Sequence, residues 1–251
     1  AEAYNNKGNA LKEKGDHQLA VECYQKSIDL NPNYIDAIMN LGIIWNSLND
    51  FTKSEQYFRQ ALMLDPTNIS TLYNLANCLF NAGDYNKAIA VCQKIIGIDS
   101  SYYHAYNRIG LCYIQLENEE KATDFFEKSI KIKPDYLEGL NNYGFALQKL
   151  KNYSLAAVQF EKALSIDPNN EEAFANLTKA HFDDGRLLEA IEVAKQGLLS
   201  RPKSIPILKN FISTLILLRR FDEAFEACKE ILSINSKDAE TINMMGTIYE
   251  K

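Results

Sequence analysis

Side chains able to do chemistry are scattered through this chain, with one exception. Its three histidines, His17, His104 and His181, lie far apart, and no two of its five cysteines, Cys23, Cys78, Cys92, Cys112 and Cys228, have metal-ligand spacing. A glycine-rich phosphate loop, a nucleophile elbow and an HExxH helix are all missing. Carboxylates gather at Glu117, Glu119 and Glu120 and at Glu171 and Glu172. Solvation, or pairing with a helix N-terminus, accounts for them better than acid catalysis. The chain therefore reads as a non-enzyme with no cofactor and no metal. The exception is a row of asparagines, Asn6, Asn40, Asn74, Asn142, Asn176 and Asn210, spaced by multiples of 34 residues, with Arg108 in the one remaining place. The chain has 24 asparagines in 251 residues, so these seven places should hold about one by chance; they hold six.

Asparagine is a poor helix-interior residue because its side chain competes for backbone hydrogen bonds. A row of them therefore needs a reason. One is structural, an amide bridging to a neighbouring unit. The other is functional: a primary amide carries both donors and an acceptor, matching the N–H and C=O of an extended peptide without reading its side chains. The functional reading is preferred for the row as a whole.

The spacing points to the elements that must position it. Residues 137–170, LEGLNNYGFALQKLKNYSLAAVQFEKALSIDPNN, carry Leu140, Tyr143, Leu147 and Leu150 at three- and four-residue steps, one apolar stripe on a first helix. Ala156, Phe160 and Ala163 make a second. Lys151 and Asn152 interrupt the pattern, and Asp167 and Pro168 end it. Gly144 and Ala156 are small enough to let the two axes approach, with aromatic rings in the gaps on either side. The same register holds over 1–34, 35–68, 69–102, 103–136, 137–170, 171–204 and 205–238, and 239–251 begin an eighth unit. A hairpin this short cannot bury its own stripe, so the units stack into a single array over 1–251.

This pattern resembles the tetratricopeptide repeat, carried in one unit by Ile38, Leu41, Gly42, Trp45, Ser54, Phe58 and Pro66. The resemblance implies an all-α fold, a right-handed α-solenoid of stacked helix-turn-helix 34-residue repeats whose first helices line a concave groove. The groove would receive Asn6, Asn40, Asn74, Arg108, Asn142, Asn176 and Asn210 from the sixth position and Asn107 and Asn141 from the fifth. Asn77, Leu111, Phe145 and Lys179 would come from the ninth and Phe80 from the twelfth. The asparagine row resembles the groove of the O-linked N-acetylglucosamine transferase arm, which implies a scaffold that binds an extended peptide or protein segment. An alternative is a substrate-recruiting arm of a larger enzyme such as a glycosyltransferase. A co-chaperone-like carboxylate clamp is the weaker alternative. Asn74, His104 and Arg108 match part of it, but Met39 and Ile43 stand where its first Lys and Asn belong.

Net charge of −6 and a pI near 5.2 disfavour nucleic acid and anionic membrane surfaces, both of which need a cationic footprint. No apolar run reaches the ~20 residues of a membrane span. Cysteines at the tenth and twenty-fourth positions of their units read as small core hydrophobes. That suits a reducing, intracellular and cytoplasmic location. The chain opens at Ala1 without a methionine and stops inside an eighth unit, which reads as a segment of something longer. The apolar last complete unit suggests self-association through that uncapped end.

Overall fold

The computed structural model describes residues 1–250. Among them are fifteen α-helices and no strand: α1 (Glu2–Glu13), α2 (His17–Leu30), α3 (Ile35–Ser47), α4 (Phe51–Leu64), α5 (Ile69–Asn81), α6 (Tyr85–Ile98), α7 (Tyr103–Gln115), α8 (Glu119–Ile132), α9 (Leu137–Lys149), α10 (Tyr153–Ile166), α11 (Glu171–Asp183), α12 (Leu187–Ser200), α13 (Ile205–Leu217), α14 (Phe221–Ile234) and α15 (Ala239–Tyr249). Odd-numbered helices open the 34-residue repeats and even-numbered helices close them, as the periodicity implies. The fold is all-α, built of tandem helix pairs.

The helices form two compact units, Ala1–Asn118 and a second beginning at Glu119. In the first, each helix from α1 to α6 packs on its successor. The second continues that pattern from α8 to α15. First helices of successive repeats also touch, α1 with α3, α3 with α5 and α5 with α7 in one unit, and α9 with α11, α11 with α13 and α13 with α15 in the other. Among the described residues no two second helices of one unit approach backbone to backbone in this way. Each unit therefore presents one continuous face made of first helices.

The apolar stripes are buried much as their spacing requires. Leu140, Leu147, Ala156, Phe160 and Ala163 are all nearly inaccessible. Leu150 is not: it caps α9 and lies exposed, because the helix ends one residue before it. The small residue at the eighth position serves an aromatic ring. A Cβ built on Gly144 would meet Phe160 Cε1 at 2.5 Å, on Gly8 Tyr24 Cε1 at 2.5 Å, and on Gly42 Phe58 Cε1 at 2.6 Å. The ring sits one turn further along the second helix than the small residue at the twentieth position, which itself lies against the eighth in the second repeat, where the Ser54 hydroxyl donates to the Gly42 carbonyl at 2.8 Å. Where the eighth residue is larger the twenty-fourth is small, as with Ala76 and Cys92, Thr178 and Ala194, and Ile212 and Cys228. All six are buried.

Turns between helices follow two local rules. The residue at the fifteenth position of every repeat has positive φ: Gly15 at 84°, Asn49 at 60°, Gly83 at 82°, Glu117 at 53°, Lys151 at 59°, Gly185 at 77° and Arg219 at 58°. Between repeats, Asn31, Asp65, Asp99, Asp167 and Asn235 each accept a hydrogen bond from the backbone N–H two residues on, closing the turn that carries Pro32, Pro66 or Pro168 in three of these cases. Asp65 and Asp99 are held below the usual carboxylate range, Asp65 first by the Thr67 N–H and Asp99 first by the Ser101 hydroxyl.

Left-handed backbone costs a residue with a Cβ roughly 1–2 kcal/mol relative to the right-handed form, and glycine is free of that cost. Lys151→Gly should therefore raise the urea midpoint, by about 0.5–1 kcal/mol. Gly83→Ala should lower it by a similar amount, since nothing lies within 4 Å of the added Cβ and only the backbone is strained. Equal midpoints for Lys151→Gly and the parent chain would show that the turn carries no strain.

Candidate functional site

The residues expected to line the groove all sit on first helices, and the structure divides them. Asn40 and Asn210 are half-buried and already bonded across a repeat boundary. Asn40 Nδ2 donates to Asn5 Oδ1 at 2.9 Å, and Asn210 Nδ2 donates to the Ala175 carbonyl at 2.8 Å. Both reach from the sixth position to the fifth position of the preceding repeat, which is the structural use of the row. Asn107 and Asn141 are buried, at 1 % and 3 % exposure. Asn141 donates to Asn170 Oδ1 and Glu172 Oε2, each at 3.4 Å. Asn142 is half-buried and Asn6 exposed. The amides of Asn74 and Asn176, both half-buried, make no side-chain hydrogen bond among the described residues.

Two clusters result, one in each unit. In the Ala1–Asn118 unit, α5 supplies Tyr73, Asn74, Asn77 and Phe80, and α7 supplies His104, Arg108 and Leu111. The Arg108 guanidinium lies 4.9 Å from the Phe80 ring centre and 5.9 Å from that of Tyr73. Phe80 also meets Tyr85 edge-on at 5.5 Å, and Tyr73 meets His104 at 5.8 Å. Asn77 Oδ1 and Arg108 Nε are closed off from solvent without a hydrogen-bond partner.

In the unit beginning at Glu119, α9 and α11 enclose a cleft of about 270 Å³ lined by Phe145, Gln148, Lys149, Asn176, Lys179 and Asp183. Phe145 is 40 % exposed, and its ring lies 5.6 Å from Lys149 Nζ. Lys179 pairs with Asp183, which also accepts from Gln148 Nε2 at 3.1 Å. A second cleft of about 470 Å³ follows along the same face, lined by Phe182, Ser213, Ile216, Leu217, Arg219 and Phe221. Phe145, Asn176 and Lys179, chosen from repeat position, thus share one cleft. Gln148 was not among them, although it occupies the twelfth position that Phe80 and Phe182 hold in their units.

Family models for the tetratricopeptide repeat match residues 1–34, residues 47–105 together with 147–213, and residues 103–136. The chain belongs to the tetratricopeptide repeat family. No curated protein sequence matches it. Among solved structures it is similar to MamA, with 26 % identity and a TM-score of 0.57 over 64 % of this chain and 94 % of that one. YrrB, described as a tetratricopeptide protein with an unusual peptide-binding site, is 22 % identical with a TM-score of 0.61, over 74 % of this chain and 96 % of YrrB. A tetratricopeptide repeat protein from Parabacteroides merdae is 18 % identical with a TM-score of 0.71, over 99 % and 98 % of the two chains. The last two likenesses speak to fold alone.

The cysteine thiols of this tetratricopeptide chain belong to its packing. All five cysteines are buried and free. Burial pushes the Cys92 and Cys112 thiols up to about 12 and that of Cys228 to about 11, so none of the three supplies a thiolate at neutral pH. Among the described residues no group of three or more His, Cys, Asp or Glu could hold a metal ion, and no helix is long and apolar enough to cross a membrane.

His181 is 5 % exposed and stands where other repeats carry Leu79, Leu147 and Leu215. Burial first, then the Arg186 charge, lower its pKa below 6.5, while Glu161, Glu189 and Asp184 oppose them. The folded state therefore holds the neutral imidazole, and the unfolded chain takes up the proton first as pH falls. This contribution to stability is complete above 6.5 and is lost as pH drops below it. Urea midpoints at about pH 7.5 and about pH 5.5 should fall less for His181→Leu than for the parent. Equal falls would show that His181 does not carry this dependence.

Proposed function

We propose that the chain is a non-catalytic scaffold, one tetratricopeptide array over 1–251, whose first-helix face holds an extended peptide or protein segment. The observation that carries this reading is the cleft between α9 and α11. It joins an exposed aromatic ring, Phe145, to an amide with no hydrogen bond of its own, Asn176. An apolar wall with a few convergent polar groups is what a ligand cleft requires. Asn74, on the same helix as Phe80 in the other unit, likewise makes no side-chain hydrogen bond among the described residues. Membership of the tetratricopeptide repeat family and the peptide-binding site described for YrrB support the same class of partner. The buried, unpaired thiols suit a reducing interior compartment. Exposed Ile242 and Tyr249 on α15 provide apolar surface for self-association.

On this reading the asparagine row has two jobs, and mutation separates them. A main-chain hydrogen bond contributes ~0.5–1.5 kcal/mol net, so one amide making two such bonds should matter by roughly five- to a hundredfold in affinity. Asn74→Ala and Asn176→Ala, each made alone, should weaken by about that factor the peptides that the parent chain selects from a random dodecapeptide library on the corresponding unit, and leave the melting curve unchanged or raised. Asn40→Ala with Asn210→Ala should do the reverse, lowering the melting temperature and sparing affinity. If the first pair lowers stability and leaves affinity intact, the row is structural throughout and the proposal is wrong.

A further inference from the structure

We infer that Arg108 reads a side-chain carboxylate, Asp or Glu, of the segment held on the first-helix face of the Ala1–Asn118 unit. The inference rests on the peptide-binding reading above and adds a chemical preference to it. Arg108 takes the sixth position of its repeat, where the row otherwise has an amide, and an amide cannot be replaced by a guanidinium without changing what is recognised: five donors, no acceptor and a permanent positive charge.

Three observations point to an anion. The first is posture. With its centre 4.9 Å from the Phe80 ring and 5.9 Å from that of Tyr73, the guanidinium is fixed by two aromatic rings, so a ligand meets a side chain already ordered. The second is an uncompensated charge. Arg108 makes no ion pair or side-chain hydrogen bond among the described residues, and its Nε is closed off from solvent without an acceptor. Half-buried cations on the first-helix face of the other unit are already matched, Lys179 by Asp183 and Lys209 by Asp238 and Glu240. Buried polar groups without a partner are uncommon in folded proteins, and for Arg108 the accessible donors left are the two Nη groups, whose spacing suits the two oxygens of one carboxylate.

The third is position. Asn74 stands one repeat earlier on the adjoining helix α5, with its amide uncommitted. A segment gripped there through its main chain would present its next side chains to Arg108. The charge is single, matching one carboxylate. Met39 and Ile43 in the repeat before Asn74 supply neither a cation nor an amide to hold a chain terminus, which favours a side-chain carboxylate over a terminal one.

The test uses the whole chain and a random dodecapeptide library displayed in two formats, one with both ends joined to linkers and one with a free C-terminus. Selection from the doubly linked format should yield peptides with Asp or Glu at one fixed position. In fluorescence anisotropy with a synthetic, C-terminally amidated member, changing that acid to its amide should weaken binding to the parent about ten- to a hundredfold. Binding to Arg108→Asn, which restores the residue type of the row, should change by under about threefold on the same exchange. Arg108→Lys, which keeps the charge but loses the fork, should fall between the two. Selected peptides with no acidic preference, or an acid-to-amide penalty that persists in folded Arg108→Asn, would overturn the inference and leave the scaffold reading intact. Selection from the free-terminus format alone would assign Arg108 to a terminal carboxylate and overturn it too. Failure of the parent to select any peptide in either format would sink the scaffold reading, and this inference with it.

Discussion

The contact on which the rest depends is an aromatic ring pressed against a residue with no side chain. In the first, second and fifth repeats Tyr24, Phe58 or Phe160 occupies the space that a Cβ on Gly8, Gly42 or Gly144 would fill. The ring sets how close the two helices of a repeat lie, and that distance sets how a first helix meets the next one. Everything on the first-helix face inherits its placement from this packing. In other repeats, with Thr178 opposite Ala194 and Ile212 opposite Cys228 in register, bulk moves from the twenty-fourth position to the eighth, filling part of the same space by another route.

Once the repeats are in register, the row of asparagines resolves into members with different work. Asn40 and Asn210 join one repeat to the previous one, through a side chain in the first case and a backbone carbonyl in the second. Asn74 and Asn176 stand in equivalent places with no such bond, Asn176 in one cleft with Phe145. The residue at the fifth position of the preceding repeat does not decide this: Met39 and Ala175 each offer only a backbone carbonyl, yet Asn210 bonds that of Ala175 while Asn74 makes no side-chain hydrogen bond among the described residues. A row that looks uniform in composition is therefore uneven in what its members are able to bind.

Fold was legible in the sequence because both of its signals are local and repeated: apolar steps of three and four residues mark each helix, and Asp–Pro or Asn–Pro marks several ends. What was not legible depends on three-dimensional neighbours. Leu150 continues the apolar spacing but falls one residue past the end of α9. Lys151, Glu117 and Arg219 give no hint of the left-handed backbone they share with Gly15, Gly83 and Gly185, because only glycine advertises that conformation. Of the residues proposed for the groove, Asn107 and Asn141 share a repeat position with exposed candidates' neighbours yet are buried, a difference of one residue along a helix. Gln148 lines the cleft with Phe145 and Asn176, and only the pattern at the twelfth position marked it.

The claim that ring size at the twenty-fourth position is traded against residue size at the eighth is tested most directly by moving one repeat's solution into another. Gly144→Thr, Phe160→Ala and the double variant, which reproduces the Thr178 and Ala194 combination of the next repeat, would be compared by urea denaturation. Phe160→Ala alone should cost ~3–5 kcal/mol and Gly144→Thr alone ~1–3 kcal/mol. In the double variant the threonine fills part of the space the ring vacates. The account predicts a combined loss smaller than the sum of the two by at least ~1 kcal/mol. Strict additivity would contradict it, because the two positions would then not be sharing one volume.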